Sequence, residues 1–373
     1  MPTGSRLHQL KGRASTIRKD GLAGLVLGIE SGPDGLAQGL LAGVNPIYGL
    51  HGYMVGTASA ALATSSSFMA VQATGAMSII VADVAVIATS PDPGRAVFTL
   101  SILTGAVMLL AGLLKLGSVV RFVSNAVMVG VLSAVGVNIV LGQLDDFTGY
   151  EAEGGNRVVK ALDLLIHPGR IHWPTLAIGA ATIALIILLE RTPLGPLGLV
   201  AAVAITSATV VVFDMDIAQL VDIASIPNAL PLPVLPDISL VPQLLIPAAS
   251  LAFVGLVQGA GISGSFPNPD GSFPDPSRDF VGQGVGNIAS GFLQGMPVGG
   301  SMSATSLTKE AGARSRLALI IAGAVMAVII LLFGSVVEQI AMPALAGLLI
   351  IVGVRTVKVD RIKAVVKTGV VQA

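Results

Sequence analysis

Long apolar segments, separated by short polar or proline-containing stretches, follow one another along almost the whole chain. The clearest are TIALIILLE (182–190), LGLVAAVAITSATVVVF (197–213) and LALIIAGAVMAVIILLF (317–333). A helix of about 20 residues crosses the apolar part of a bilayer, so the pattern predicts an all-α protein that crosses the membrane many times. A thirteenth segment begins after Lys358. Those before it are predicted near residues 21–43, 46–64, 74–90, 94–114, 118–142, 172–189, 195–213, 242–262, 279–295, 303–312, 315–333 and 343–354.

Two of these segments are interrupted by small and hydroxyl residues. They read SSSFMAVQATGAMSIIVADV (65–84) and GMPVGGSMSATSLTKEAGA (295–313), and they contain the third and the tenth crossing. Each is the third element of its half if the chain is built from two seven-segment repeats. Interrupted segments at matching places in two halves are the best sequence indication of a transporter binding site. The alternative is that both stretches are ordinary loops between short helices.

The composition supports the prediction of a membrane protein and argues against several other classes of function. The 373 residues are 53% hydrophobic and only 11% charged, whereas a soluble domain carries about 25% charged residues. The chain has no cysteine, so it has no thiol nucleophile or thiolate metal site. Its formal net charge is zero, so no overall field attracts nucleic acid. We expect no metal, no cofactor and no enzyme activity, because no metal-ligand spacing, phosphate loop or nucleophile–base cluster is evident.

Basic residues at the two flanks predict the orientation in a cell membrane. Five lie between 6 and 19, before the first segment, and four lie between 355 and 363, after the twelfth. Basic residues collect on the cytoplasmic side, so a cytoplasmic N-terminus is expected. The stretch 192–277 has no Lys or Arg and its proline-rich loop is predicted outside. Three basic residues between 157 and 170 fit this orientation less well.

A helix that begins in the middle of a membrane has a particular electrostatic property. Its first N–H groups lack partners within the helix, and its amino end carries a partial positive charge. Two such ends can therefore form an anion site without a cationic side chain. Thr74 can cap or donate near one end, and Ser301, Ser303 and Thr305 can do so near the other.

The first segment contains two acidic residues, which are costly at membrane depth. Glu30, Asp34 and Gln38 share one helix face if the helix continues past Pro33. An ionised carboxylate in a membrane costs about 2.5–3.5 kcal/mol on insertion scales and usually marks a transport pathway. Two acids beside an anion site repel the anion and each other, and protonation relieves that repulsion. We therefore expect proton-coupled anion uptake with Glu30 or Asp34 as proton carrier. The alternative is that one of them caps a broken helix or pairs with a lysine.

Four stretches give the chain a family resemblance. They are residues 20–50, 65–82 (SSSFMAVQATGAMSIIVA), 251–266 (LAFVGLVQGAGISGSF) and 281–315 (VGQGVGNIASGFLQGMPVGGSMSATSLTKEAGARS), of which the last is the most specific. Through them the chain resembles the sulfate permease family of anion transporters, whose animal branch is solute carrier family 26.

The resemblance implies a uracil-permease-like fold of two inverted seven-segment repeats. In it a core, here roughly 20–115 and 242–335, moves against a gate, here roughly 117–213 and 343–373. It also implies homodimers and a C-terminal STAS domain. Nothing like a STAS domain is present and the last segments are partial, so we expect the natural protein to extend beyond this chain.

The resemblance also places the substrate between the two interrupted segments, where this chain departs from the family. Gln72-Ala73-Thr74 stands where Gly-Pro-Thr is frequent, and Gln258 stands where many members have glutamate. Ser303-Ala304 replaces the Ser-Arg of animal members, and Asp34 replaces a glutamine. The expected substrate-binding residues are Gln38, Gln72, Ala73, Thr74, Gln258, Gly300, Ser301, Met302, Ser303 and Ala304.

These features predict a secondary active transporter of a small anion that works by alternating access. A carboxylate or dicarboxylate carried with a proton suits the two acids best, and bicarbonate with sodium is the second choice. Segments eight and ten lack the charged residues that many family members carry there, and segment one has an additional acid, Asp34. This different distribution of charge makes sulfate and chloride less expected as substrates. A nucleobase–proton symporter of the same fold and a channel-like anion conductor remain alternatives.

Overall fold

A computed structural model describes residues 3–117, 125–357 and 359, and helices form most of this part of the chain. Three described helices are both long and apolar enough to span a membrane by length and composition alone. They are Pro93–Leu113, Ile238–Ser265 and Leu317–Val337, and four shorter apolar helices accompany them. The predicted thirteenth segment, apart from Val359, lies outside the described residues.

The helices of the first half follow the predicted crossings closely. The first helix continues through Pro33, as the shared face of its polar residues requires. The second crossing contains one π-helical turn, Gly52–Gly56, between two α-helical pieces. The elements are α1 (Thr3–Leu41), α2 (Ile47–His51), α3 (Thr57–Ala63), β1 (Ala70–Gln72), α4 (Gly75–Ala82), α5 (Ala85–Thr89), α6 (Pro93–Leu113), α7 (Asn125–Gly142), α8 (Leu144–Thr148), α9 (Arg157–Ile166), α10 (Trp173–Leu189) and α11 (Leu197–Val212).

The second half repeats this plan. A long crossing with an internal proline, Pro247, is followed by a glycine-rich helix and then by the second interrupted segment. A short strand again precedes a helix too short to cross a bilayer. The elements are α12 (Val241–Ser265), α13 (Pro276–Phe292), β2 (Gly299–Ser301), α14 (Met302–Glu310), α15 (Leu317–Val337) and α16 (Met342–Thr356).

Small residues allow several helices to approach closely. The four-residue spacing of Gly24 and Gly28 predicts such packing, and the structure confirms it. A Cβ at Gly24 would lie 2.6 Å from the Ala318 carbonyl oxygen, and one at Gly28 would lie 2.6 Å from Val325 Cβ. Helix α1 therefore packs on α15, while α6 packs on α12 and α13. A second group is formed by α10, α11 and α16, with α7 against α16.

Two buried aspartates tie helices to distant loops. Asp279, at the start of α13, accepts hydrogen bonds from the loop 64–66 and from Ser263 Oγ, at 2.6–3.1 Å. Asp20 accepts two backbone N–H groups and a hydroxyl from residues 314–315, at 2.5–3.0 Å. Both side chains are fully buried. Each half thus supplies an aspartate that binds the loop next to the interrupted segment of the other half.

Candidate functional site

The two interrupted segments meet and form a two-stranded antiparallel sheet. Ala70 pairs with Ser301, Val71 with Gly300 and Gln72 with Gly299. Each strand leads directly into a short helix, α4 or α14. The prediction that residues 65–84 and 295–313 lie together is confirmed.

The sheet places the amino ends of α4 and α14 toward a common centre. Because the strands are antiparallel, the chain leaves the sheet in opposite directions, and each helix begins where its strand ends. Thr74 caps α4 by accepting the Met77 N–H, and Ser301 caps α14 by accepting the Ala304 N–H. Ser301 pairs with Ala70, four residues before Thr74, so the two caps are about 13 Å apart along the strands.

Side chains of α13 satisfy the outer edge of β2. Asn287 Oδ1 accepts the Val298 N–H at 2.9 Å, and its Nδ2 donates to the Val298 carbonyl at 2.6 Å. Gln283 Oε1 accepts the Gly300 N–H at 3.0 Å. Both amide side chains are fully buried. Extended backbone survives at membrane depth only where protein or water satisfies it, and these two side chains do so. Neither amide was predicted as a site residue, although two amides four residues apart in an apolar segment were the available signal.

On the other edge, hydroxyl groups serve β1. Thr57 Oγ1 of α3 donates to the Val71 carbonyl at 3.0 Å. Thr305 Oγ1 accepts the Ala70 N–H at 3.2 Å and donates to the Ser301 carbonyl at 2.6 Å. Thr305 was expected to cap or donate near the amino end of α14. In the structure its hydroxyl links the two strands.

Tyr53 joins the acidic face of α1 to the start of the first half-helix. Its hydroxyl contacts Asp34 Oδ2 and also lies 3.0 Å from the Ala73 carbonyl oxygen. It is nearly fully buried and lies in the π-helical turn. Tyr53 was not predicted as a site residue, because a π-helical turn shifts the face on which a side chain lies.

Asp34 has a second connection to α4, through Gln38. Gln38 Nε2 donates to Asp34 Oδ1 at 3.2 Å, and Ser78 Oγ donates to Gln38 Oε1 at 3.0 Å. Glu30 lies one turn earlier on α1 and is half-buried. Among the described residues, neither carboxylate forms an ion pair. The alternative that a lysine neutralises one of them therefore has no support in the described part of the chain.

Two predicted glutamines lie on either side of the half-helix start. Gln72 is buried and donates from Nε2 to Ser31 Oγ of α1 at 2.8 Å. Gln258 of α12 is half-buried, and its Oε1 accepts the Thr74 hydroxyl at 3.1 Å. Thr74 therefore binds at once to its own helix and to α12.

The predicted residues at the second half-helix differ in accessibility. Met302 and Ser303 are exposed, while Ala304 is buried. Ser301 Oγ lies 3.2 Å from Ser303 Oγ. A Cβ at Gly300 would lie 3.1 Å from Gly259 Cα of α12. Close packing of β2 on α12 thus accounts for this glycine, and its contact with a substrate stays a prediction.

A family model supplies independent information. The model described as the sulfate permease family matches residues 17–371. It is a family of permeases, in agreement with the expectation that the chain is not an enzyme.

Curated relatives cover most of the chain at low identity. A Mycobacterium tuberculosis protein named "Probable sulfate transporter" is 28% identical over 353 residues, which are 93% of this chain and 63% of the relative. A bicarbonate transporter of Picosynechococcus is 28% identical over 347 residues, 91% of this chain and 61% of its own. The chain thus spans less than two thirds of the length of these relatives.

Solved structures match over nearly the same range. The transmembrane domain of a cyanobacterial bicarbonate transporter has a TM-score of 0.85 at 25% identity, and the match covers 96% of this chain and 93% of that one. Murine solute carrier 26 family member A9, in the inward-facing state, has a TM-score of 0.81 at 19% identity, covering 92% and 61%. The predicted 7+7 inverted-repeat fold is confirmed.

Proposed function

The chain belongs to the sulfate permease family, and from that premise we propose that it is a secondary transporter of a small oxyanion, coupled to protons. The observation that carries the proposal is the pairing of β1 with β2, which directs two helix amino ends at one centre. Residues 65–82 and 295–308 contain no Lys or Arg. Backbone N–H groups and the hydroxyls of Thr74, Ser301 and Ser303 are the donors that remain for the anion.

The proton-coupling step uses Asp34 and Tyr53. The Tyr53 hydroxyl has one hydrogen and two acceptors within reach, Asp34 Oδ2 and the Ala73 carbonyl. When Asp34 is ionised, Tyr53 donates to it. When Asp34 takes up a proton, its own O–H donates to the Tyr53 oxygen, and the Tyr53 hydrogen turns to Ala73. Glu30 is the other acid near Asp34 and repels the ionised form. Protonation thus changes the hydrogen bonding of the residue that precedes Thr74.

Transport then proceeds by movement of a core against a gate. The proposed core comprises roughly 20–115 and 242–335, and the gate roughly 117–213 and 343–373, part of which lies outside the described residues. The packing of α10, α11 and α16 on one another supports this division. We further propose a homodimer in the cell membrane with a cytoplasmic N-terminus. Cross-linking in intact membranes and protease accessibility of the N-terminus test these two points.

Uptake into proteoliposomes tests the main proposal, and it requires the full-length protein. Sulfate, bicarbonate, a dicarboxylate, chloride and uracil are offered with an imposed pH gradient, an imposed sodium gradient or neither. Saturable uptake of one oxyanion that is stimulated by an inward proton gradient is expected. Stimulation by a sodium gradient alone would identify sodium, in place of the proton, as the coupled ion. Uracil uptake, or non-saturating salt currents, would refute an oxyanion transporter.

Three variants separate coupling from binding. Glu30→Gln and Asp34→Asn remove the acids, and Tyr53→Phe removes only a hydroxyl. We expect uptake driven by the pH gradient to fall about tenfold in Tyr53→Phe, the equivalent of one hydrogen bond to a charged group at about 1.5 kcal/mol. Anion exchange without a gradient is expected to persist. Full pH-gradient dependence in both acid variants would reject proton carriage by these residues.

A further inference from the structure

Helix α9 is a short helix between two crossings. Its apolar face is exposed, which is unfavourable for a helix in water. Its sequence is RVVKALDLLI. The residues Val158, Leu162, Leu165 and Ile166 are exposed, Leu165 by 75% and Ile166 by 71%. Their spacing of four, three and one positions places them on one side of a helix. At ten residues α9 is too short to span a bilayer.

Two charged residues of α9 bind neighbouring parts of the protein. Lys160 Nζ forms an ion pair with Asp145 Oδ2 at 2.7 Å. Asp163 accepts the Tyr150 hydroxyl at 2.8 Å and the Glu153 N–H at 3.0 Å. These contacts hold α9 onto the segment that follows α7. They also neutralise part of the basic charge that fits the predicted orientation poorly.

The apolar face continues into the surface of the next crossing. Six residues separate α9 from Trp173, which begins α10 and is 65% exposed. Exposed tryptophans at the ends of crossings are enriched at the boundary between lipid and water. Tyr150 accepts a hydrogen bond from Arg170, which lies just before α10, and donates to Asp163 of α9, so α9 is held beside the start of α10.

We propose that α9 is an interfacial helix whose apolar face inserts into the acyl-chain boundary of the adjacent leaflet. Helices of this kind lie in the plane of the membrane and bury their apolar face by about 5–10 Å. The proposal requires only that the chain lies in a bilayer, and does not depend on which anion it carries.

A second copy of the chain is a less suitable occupant for this face. A helix of ten residues is about 15 Å long, and four or five side chains cover a few hundred Å² at most. A stable protein interface buries about 800 Å² on each partner. The lipid surface around α10 is already present and needs no second contact area.

Site-directed spin labelling tests the proposal, and the absence of cysteine from the chain makes it direct. Leu165→Cys is labelled with a nitroxide in the otherwise unchanged protein, reconstituted in phosphatidylcholine vesicles. Gly155→Cys is the matched control, because Gly155 lies in the exposed loop before α9 and a Cβ there meets no atom within 4 Å. Collision rates are measured with oxygen, which partitions into lipid, and with a neutral nickel chelate, which stays in water.

We expect the oxygen-to-nickel ratio of the Leu165 label to exceed that of the Gly155 label several-fold. Equal ratios would overturn the proposal, because the face would then be in water. Low collision rates with both reagents, together with spin–spin broadening between copies, would also overturn it in favour of a second chain. Ile166→Cys provides a repeat position, so that a poorly folded Leu165 variant does not decide the result.

Discussion

The support of β2 by α13 gives the most direct test of the site. Replacing Asn287 by leucine keeps the branching of the side chain at Cγ and removes both the donor and the acceptor that serve Val298. Because Asn287 is fully buried, no bulk water replaces them. Each buried backbone group left without a partner costs about 1–3 kcal/mol, so the variant is expected to lose about 2–6 kcal/mol of stability.

Thermal unfolding of the purified protein in one detergent measures this loss, and anion uptake measures its effect on the site. Asn138→Leu is the control, because the Asn138 side chain donates only to Ala134 of its own helix, at 3.2 Å. Loss of that bond is worth about 0.5–1.5 kcal/mol. The reasoning is refuted if Asn287→Leu unfolds at the same temperature as Asn138→Leu and transports normally.

Three further outcomes follow from the described contacts. Gly49→Ala should prevent folding, since its Cβ would overlap the backbone of α1, whereas Gly21→Ala meets no neighbouring atom and should fold normally in a detergent stability screen. Thr74→Ala should weaken anion binding several-fold in a titration, since loss of an N-cap costs about 0.5–2 kcal/mol. Hydrogen bonds from the Glu153 N–H and from a tyrosine hydroxyl lower the pKa of Asp163. The stability that these contacts contribute is therefore fully present above the ordinary pKa of Asp163 and is lost as pH falls through the lowered value. There the protection of the Glu153 amide from hydrogen exchange, relative to its intrinsic rate at the same pH, should fall.

The sequence was sufficient to predict the crossings and the meeting of the two interrupted segments. Runs of apolar residues fix helices in a membrane because backbone groups must be satisfied internally. The two interrupted segments could be predicted for the same reason, because non-helical backbone rich in hydroxyl residues and glycines at membrane depth needs protein or water partners. The caps Thr74 and Ser301 followed from residue type alone.

Other features depended on contacts that no local pattern shows. From the sequence alone, Asn287 is expected to form a polar contact between helices. Its role in supporting β2 is evident only from the position of β2 beside it. Tyr53 reaches Asp34 only because the second crossing contains a π-helical turn. Gly300 was expected to bind substrate, and the structure places it against the backbone of α12, where a Cβ would lie 3.1 Å from Gly259 Cα. In each case the deciding partner lies on a different element.

The pairing of β1 with β2 has a consequence for biosynthesis. Ala70 and Ser301 are paired but lie 231 positions apart in the chain. At about 5–20 residues per second, a ribosome needs roughly 12–46 s to make the second strand after the first. During that time the first strand has an open edge inside the membrane, which the insertion machinery or a temporary partner must shield. The two-stranded sheet is therefore absent from a nascent first half and forms only after translation of the second half has produced β2.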